Sequence, residues 1–253
     1  MKVTFYGTGS AIPSASRGFA CIGIRVAEGE VLLDCGDGSI HKLVSFGADV
    51  NQITNILVTH HHSDHLTGLT SIIETMAIRR RTQSLKVYGP PGLAKYFESV
   101  RKATNVASNK MFEIVIREIS PGERLSVGDI TVRTYEMDHT IPCIGYRLER
   151  KGTAIAYTGD TEPCLDVLKL SRDSDLLIHE ATYLKSDSEK ARHSKHSTPA
   201  EAAIAARDSG AKRLIMTHIN DGRETPREML AEASKIFSRC KTAEDGMELS
   251  VSR

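Results

Sequence analysis

Within Thr59–Gly68, THHHSDHLTG, stand four histidines and an aspartate. Imidazole and carboxylate are both good ligands for zinc and related divalent ions, and alternate residues of an extended segment point the same way. His60 and His62 can therefore grip one ion from one side. Asp64 and His65, placed where the chain turns into a helix, can face a second ion beside the first. His61 lies between these ligands and is expected to point away. A loop with this many ligand-type side chains at this spacing is a signature with a mechanism rather than a solvated turn.

Two ions need more donors, and they should sit at the ends of other strands, where α/β sheets collect their functional groups. Three residues do: His139 in YEMDHTIP, Asp160 in AIAYTGDTEP and His218 in RLIMTHIN. In each case a β-branched or apolar run stops and a potential ligand follows it.

The elements that must position these groups follow from periodicity. Strand-like runs are expected at Val3–Tyr6, Cys21–Val26, Val31–Asp34, Ile56–Thr59 and Leu85–Tyr88, and helical patterns at Ser39–Phe46, Leu66–Arg80 and Gly92–Arg101. Residues 113 to 158 give four or five further strands, among them Ile130–Glu136 and Thr153–Thr158. Helix and strand then alternate to a last helix at Pro226–Arg239 and a last strand at Glu248–Val251. Two sheets face to face with helices on both outer sides account for this order, and leave the strand ends and their loops along one edge.

Composition narrows the function. The 253 residues suffice for one large domain over 1–253, and no linker-like segment divides them. Lys and Arg number 33 against 32 Asp and Glu, which excludes the global basic field of a general nucleic-acid binder, so an anionic substrate must be attracted locally. Five widely spaced cysteines without a Cys-x-x-Cys pair argue against a disulfide framework or a thiolate zinc knuckle and read as buried thiols. The chain opens on Met1-Lys2-Val3 and runs straight into a strand with no signal-like or membrane-spanning stretch, which reads as a cytoplasmic protein.

The histidine loop with the three later positions resembles the metallo-β-lactamase superfamily, and in detail its ribonuclease Z branch. The likeness runs nearly end to end, through FYGTGSAIPS, VLLDCGDGS, VTHHHSDHLTGL, VYGPPGL, IGYRL, YTGDTEPC, LLIHEATY, HST, MTHI and AEDGMEL. It implies a four-layer αββα sandwich and a centre of two divalent ions, in the first place zinc, with manganese or iron(II) as alternatives. Carried over by position, His60, His62 and His139 hold the first ion, Asp64, His65 and His218 the second, and Asp160 bridges them, leaving room for a shared hydroxide. Such a centre suits phosphodiester hydrolysis, with Asp64 orienting the water or taking its proton.

HEAT, residues 179–182, and HST, residues 196–198, supply what metals do not. A departing alkoxide needs a proton, and an imidazolium held by a carboxylate provides one. His196 is thus read as the acid at the leaving oxygen and Glu180 as its partner, the plainer alternative for Glu180 being a helix cap. His179 reads as structural, His193 as solvated, and Asp34 as a carboxylate orienting a ligand histidine. GTGSAIPSASRG, residues 7–18, is either a turn packed beneath the site or a backbone approach to a phosphate.

The departures bear on substrate. Ribonuclease Z proteins that carry a tRNA-gripping arm in the same chain insert it between the counterparts of His139 and Asp160. Here TIPCIGYRLERKGTAIAYTG fills that interval, which is two strands and a turn. GDGSIHKL, and INDGRET after His218, also depart from the family pattern. The reading is a metal-dependent phosphodiesterase, with RNA 3′-end cleavage first and a small diester or cyclic nucleotide as the alternative. An iron redox enzyme fits less well, because oxygen chemistry needs no leaving-group acid. A fold merely stabilised by metal would not need HEAT and HST. SIIETMAIRRR, residues 71–81, suits a homodimer face or an ordinary amphipathic surface helix.

Overall fold

The computed structural model describes residues 1–12, 14–104, 112–220 and 226–252. One mixed sheet holds β1 (Lys2–Gly7), β2 (Cys21–Val26), β3 (Gly29–Leu33), β4 (Ile53–Leu57), β5 (Leu85–Gly89) and β6 (Ile114–Glu118) in chain order, with the closing strand β14 (Glu248–Ser250) beside β1. The other holds β7 (Arg124–Val127), β8 (Ile130–Met137), β9 (Cys143–Arg150), β10 (Thr153–Tyr157), β11 (Leu176–Glu180), β12 (Leu214–Thr217) and β13 (Cys240–Thr242), again side by side in chain order. β1 to β3 and β7 to β10 are antiparallel meanders, whereas β3 to β6 and β10 to β13 run parallel. Those parallel runs need crossovers, and the crossovers supply the helices.

Three apolar layers define the packing. Phe5, Leu33, Leu57, Tyr146, Tyr157 and Ile178 fill the space between the sheets. Leu32, Ile56 and Val58, their neighbours in sequence, face the opposite way onto Leu43, Ile72 and Leu93 of α1 (Ser39–Ser45), α3 (Leu69–Ile78) and α4 (Leu93–Thr104). Ala156, Leu177 and Met216 pack against α5 (Leu165–Ser171), α7 (Pro199–Asp208) and α8 (Pro226–Ala233). Period-two alternation with both faces apolar is what a sheet buried on both sides requires, and the αββα sandwich follows from it.

Three expectations need correction. The helical pattern of Leu66–Arg80 is two helices, α2 (Ser63–Leu66) and α3, because Gly68 is drawn against the first sheet: its N–H donates to Cys35 O at 2.9 Å, and a Cβ there would lie 2.1 Å from Gly36 O. The last helix stops at Ala233 instead of Arg239, since the chain must turn to lay Cys240–Thr242 parallel to β12, a strand the periodicity did not foretell. The expected strand ends at Asp34 and Thr59 fall in the loops that follow β3 and β4.

The interval between His139 and Asp160 is a bare hairpin. Lys151 and Gly152 both take positive φ, 48° and 78°, as a two-residue turn between antiparallel strands prefers, and no further element emerges there. Of INDGRET only Ile219 and Asn220 lie within the described residues, as all but Pro13 does of residues 7–18. That N-terminal loop packs against the chain that follows β12. Gly9 N donates to Gly18 O at 2.8 Å, Ser10 N to Ile219 O at 3.1 Å and Ile219 N to Thr8 O at 2.9 Å, so the loop clamps the chain directly after His218. The five cysteines are free thiols, four buried and Cys164 partly so. No helix among the described residues is long and apolar enough to cross a membrane.

Candidate metal centre

The seven expected ligands stand in the segments that follow four strands. His60 and His62 occupy the loop after β4, Asp64 and His65 lie on α2, and His139, Asp160 and His218 follow β8, β10 and β12. The fold brings all seven to one edge. The facing atoms of His60, His62, His139 and Asp160 lie within 4.8 Å of one another, as do those of Asp64, His65 and His218. In the first set His62 Nδ1 is 3.0 Å from His60 Nε2 and 3.2 Å from His139 Nε2. In the second, Asp64 Oδ2 is 3.2 Å from His218 Nε2 and 3.5 Å from His65 Nε2. Asp160 stands between them, Oδ2 at 3.6 Å from His60 and 3.4 Å from His218, Oδ1 at 3.4 Å from His65.

These spacings fit a divalent ion. Two ligand atoms about 2.1 Å from one ion at a tetrahedral angle are about 3.4 Å apart. His65 Nε2 and Asp160 Oδ1 are buried with no hydrogen-bond partner, a costly state that coordination relieves. The outer nitrogens make the same case. Thr59 Oγ1 gives its proton to Asp34 Oδ2 (3.0 Å), so it must accept from His60 Nδ1 (2.9 Å). His65 Nδ1 donates to Asp34 Oδ2 at 2.8 Å and His139 Nδ1 to Lys195 O at 3.0 Å. In all three rings the outer nitrogen carries a proton and Nε2 faces the centre, so the neutral ring would offer that atom to an ion.

Asp34 is the hub of this support. Its carboxylate also accepts from Thr59 N at 2.7 Å and from the Tyr157 hydroxyl at 2.7 Å, which ties the second sheet to the first. Asp34 and His218 both hold left-handed backbones, φ 59° and 57°, and so does Lys195, at 54°. Such conformations cost about 1–3 kcal/mol each in a non-glycine residue and persist where the surroundings over-determine them. Gly159, at φ 64°, has no freedom to change, because a Cβ there would lie 2.8 Å from Thr59.

His196 and Glu180 meet as expected, Nδ1 to Oε1 at 2.7 Å. Glu180 ends β11 fully buried and does not cap a helix; its Oε1 also accepts from Thr161 N at 3.0 Å. The His196 ring lies 5.1 Å from that of His139 and 5.3 Å from that of His218, and its side chain is 13% exposed, against 5% or less for Asp64, His65 and Asp160. It therefore stands at the mouth of the centre. Burial by itself would lower its pKa, but the adjoining Glu180 charge and hydrogen bond, with Asp160 behind, outweigh burial and lift it to about 9. Burial likewise favours neutral Asp64, and the His218 hydrogen bond with the His65 charge outweighs it, holding that carboxyl at about 2. His60 is driven well below the ordinary imidazole value, first by burial, then by neighbouring histidines.

Three further histidines sort as the residue pattern implied. His61 turns away towards Gly92, His179 is buried with Nδ1 donating to Glu180 O at 2.7 Å, and His193 is exposed. Sequence reasoning assigned no role to Thr59, Tyr157 or Thr182, although Thr182 stands inside HEAT. It also missed a cleft of about 870 Å³ between the Pro90-Pro91 turn, the 139–144 loop and α5. Of the seven candidate ligands only His139 lines that cleft, and its side chain is 1% exposed, so the cleft lies behind this residue and not over the cluster.

Comparison with known proteins agrees with this geometry. A family model described as a β-lactamase superfamily domain matches residues 30–219. Ribonuclease Z of Methanothermobacter thermautotrophicus is 30% identical, covering 99% of this chain and 97% of its own, and that of Brevibacillus brevis is 31% identical, covering 100% and 98%. These alignments run over 299 and 312 positions against 253 residues here, so both relatives carry a few dozen residues with no counterpart in this chain. The crystal structure of the short form of human tRNase Z superimposes with a TM-score of 0.87 at 29% identity, covering 100% of both chains. The chain thus belongs to the metallo-β-lactamase superfamily, in the branch that holds ribonuclease Z, and is a hydrolase that depends on divalent metal ions.

Proposed function

We propose that the chain, as one hydrolase domain over residues 1–253, is a cytoplasmic phosphodiesterase of the ribonuclease Z type that cuts RNA near its 3′ end and works with two zinc ions. The observation that carries the reading is the His196–Glu180 pair at 2.7 Å on the mouth of a seven-ligand cluster, because a ribose oxygen leaves poorly without a proton. His60, His62 and His139 would hold one ion and Asp64, His65 and His218 the other, with Asp160 within reach of both sets. Nitrogen and oxygen donors at tetrahedral spacing favour zinc, with manganese and iron(II) next. When bound, the ions supply an activated water and neutralise charge at phosphorus. The chain's own residues do the rest: Asp64 orients the attacking water and accepts its proton, His196 contacts the phosphate and protonates the departing oxygen, and Glu180 keeps His196 charged.

The bare Lys151-Gly152 turn favours a second reading, in which the same chemistry serves a small diester or cyclic nucleotide, since the turn offers nothing to hold a tRNA body. A cleavage panel of precursor tRNA, short single-stranded RNA, cyclic nucleotides and bis(p-nitrophenyl) phosphate separates the two. RNA should be cut with the highest kcat/KM; cleavage confined to cyclic nucleotides would move the substrate to the second reading. The zinc-reconstituted protein should hold two ions per chain, and a stoichiometry of zero after zinc and manganese reconstitution would end both readings.

A homodimer is part of the same proposal. Ile78, at the end of α3, is 81% exposed, and Phe46, at the end of α1, which packs on α3, is 41% exposed. Ile78→Glu should convert a dimer to a monomer in sedimentation equilibrium. A wild-type monomer at micromolar concentration would remove this element.

A further inference from the structure

The Thr182 hydroxyl is buried among three polar groups: Glu180 Oε2 at 2.7 Å, His218 Nδ1 at 2.8 Å and His196 Nδ1 at 3.3 Å. It has one proton to give. The carboxylate can only accept, so the proton goes to Glu180 and the hydroxyl oxygen faces His218 with a lone pair. His218 Nδ1 must then be the donor. In the neutral ring, the form that can take an ion, the bare nitrogen is then Nε2, the atom 3.2 Å from Asp64 Oδ2 and 3.4 Å from Asp160 Oδ2. The opposite tautomer would need two protons from one hydroxyl.

Glu180 is filled on both sides. Oε1 accepts from Thr161 N–H at 3.0 Å and from His196 Nδ1–H at 2.7 Å, and Oε2 accepts from Thr182 N–H at 3.2 Å and from the Thr182 hydroxyl. The side chain is inaccessible to water, so no solvent can replace a lost partner. We infer that Glu180 serves both halves of the site: Oε1 holds the leaving-group acid, while Oε2, through Thr182 as a positioning residue, sets the His218 tautomer for the second ion. Metal affinity and leaving-group protonation are thereby coupled through one buried carboxylate. This rests on the ligand assignment proposed above.

Three variants separate the two ends. Metal affinity is read by chelator competition with zinc alone, and acid function by the ratio of rates on an RNA dinucleotide and on bis(p-nitrophenyl) phosphate. Thr182→Val keeps the shape and removes the hydroxyl, and should bind one of the two ions about 10- to 100-fold more weakly, the usual loss when a partner behind a ligand histidine is removed. The substrate ratio should stay near that of wild type, because the Glu180–His196 contact remains. Thr182→Ser should restore the affinity. His196→Ala should change the ratio and leave both affinities alone. Glu180→Gln has one acceptor oxygen, cannot serve both histidines and should move both readouts. The inference is overturned if Thr182→Val binds both ions like wild type, if serine weakens binding as much as valine does, or if Glu180→Gln changes the ratio with both affinities intact. Wild-type protein that takes up fewer than two ions would instead overturn the ligand assignment itself, a result distinguishable from any of these.

Discussion

His196→Ala is expected to slow cleavage of RNA by about 10²- to 10⁴-fold, the range that a positioned general acid supplies, while p-nitrophenolate, which leaves unaided, should be released at a rate close to that of wild type. The ratio between the two substrates should therefore change by at least about a hundredfold, with two ions still bound. The expectation follows from position and charge together. Nδ1 is committed to Glu180, so Nε2 is the nitrogen left for substrate at the mouth of the centre. The sign of the pH dependence follows too. The acid works while protonated; against the opposing effect of burial, Glu180 raises its pKa to about 9, so RNA cleavage is supported below the folded-state pKa and falls as pH rises through it. Bound cations repel the imidazolium and move that fall to lower pH. His196→Ala should lose this limb of the profile. Equal losses on both substrates would assign His196 to phosphate positioning instead, and loss of an ion would place it among the ligands, where its approach to Asp160 and His218 gives it the reach.

Asp64→Ala should abolish turnover of every diester, including bis(p-nitrophenyl) phosphate, because the carboxylate is asked both to hold the second ion and to take the proton of the attacking water. The loss of the second role alone is about 10²- to 10⁴-fold. Its low pKa, about 2, means that it stays an ionised acceptor across the neutral range, and its effect fades only as pH falls through that value. The fold should survive: Asp64 sits on the four-residue α2 at the sheet edge, outside all three apolar layers. Circular dichroism and zinc stoichiometry distinguish the outcomes. Native ellipticity with one ion fewer and no turnover is the expected result, and unchanged turnover would take Asp64 out of the mechanism.

Much of this site was legible because its information is local. Four ligand-type side chains lie in one loop, where the two-residue repeat of extended chain already separates His60 and His62 from His61. His139, Asp160 and His218 were legible for a related reason, since apolar runs mark strands and their ends mark the sheet edge. The four layers followed from strands apolar on both faces. The helix break at Gly68 was not legible, because it answers to a carbonyl of Gly36 that only the folded chain brings to 2.1 Å of where a Cβ would stand.

What tertiary structure alone decided is which atom of each group faces the centre. His139 owes its tautomer to a carbonyl 56 residues away, His218 to a hydroxyl 36 residues before it, and Asp34 receives a tyrosine 123 residues distant from the opposite sheet. Amphipathic period reports which side of an element is buried, and nothing about what it is buried against. Proton position depends on that second fact, since each hydroxyl has one proton and each carboxylate none to give. The sequence by itself therefore determined the candidate ligands and the chemistry they could share; the folding together of segments distant in sequence determined that Nε2 of His60, His65, His139 and His218 faces the centre, and that one carboxylate stands behind both His196 and His218.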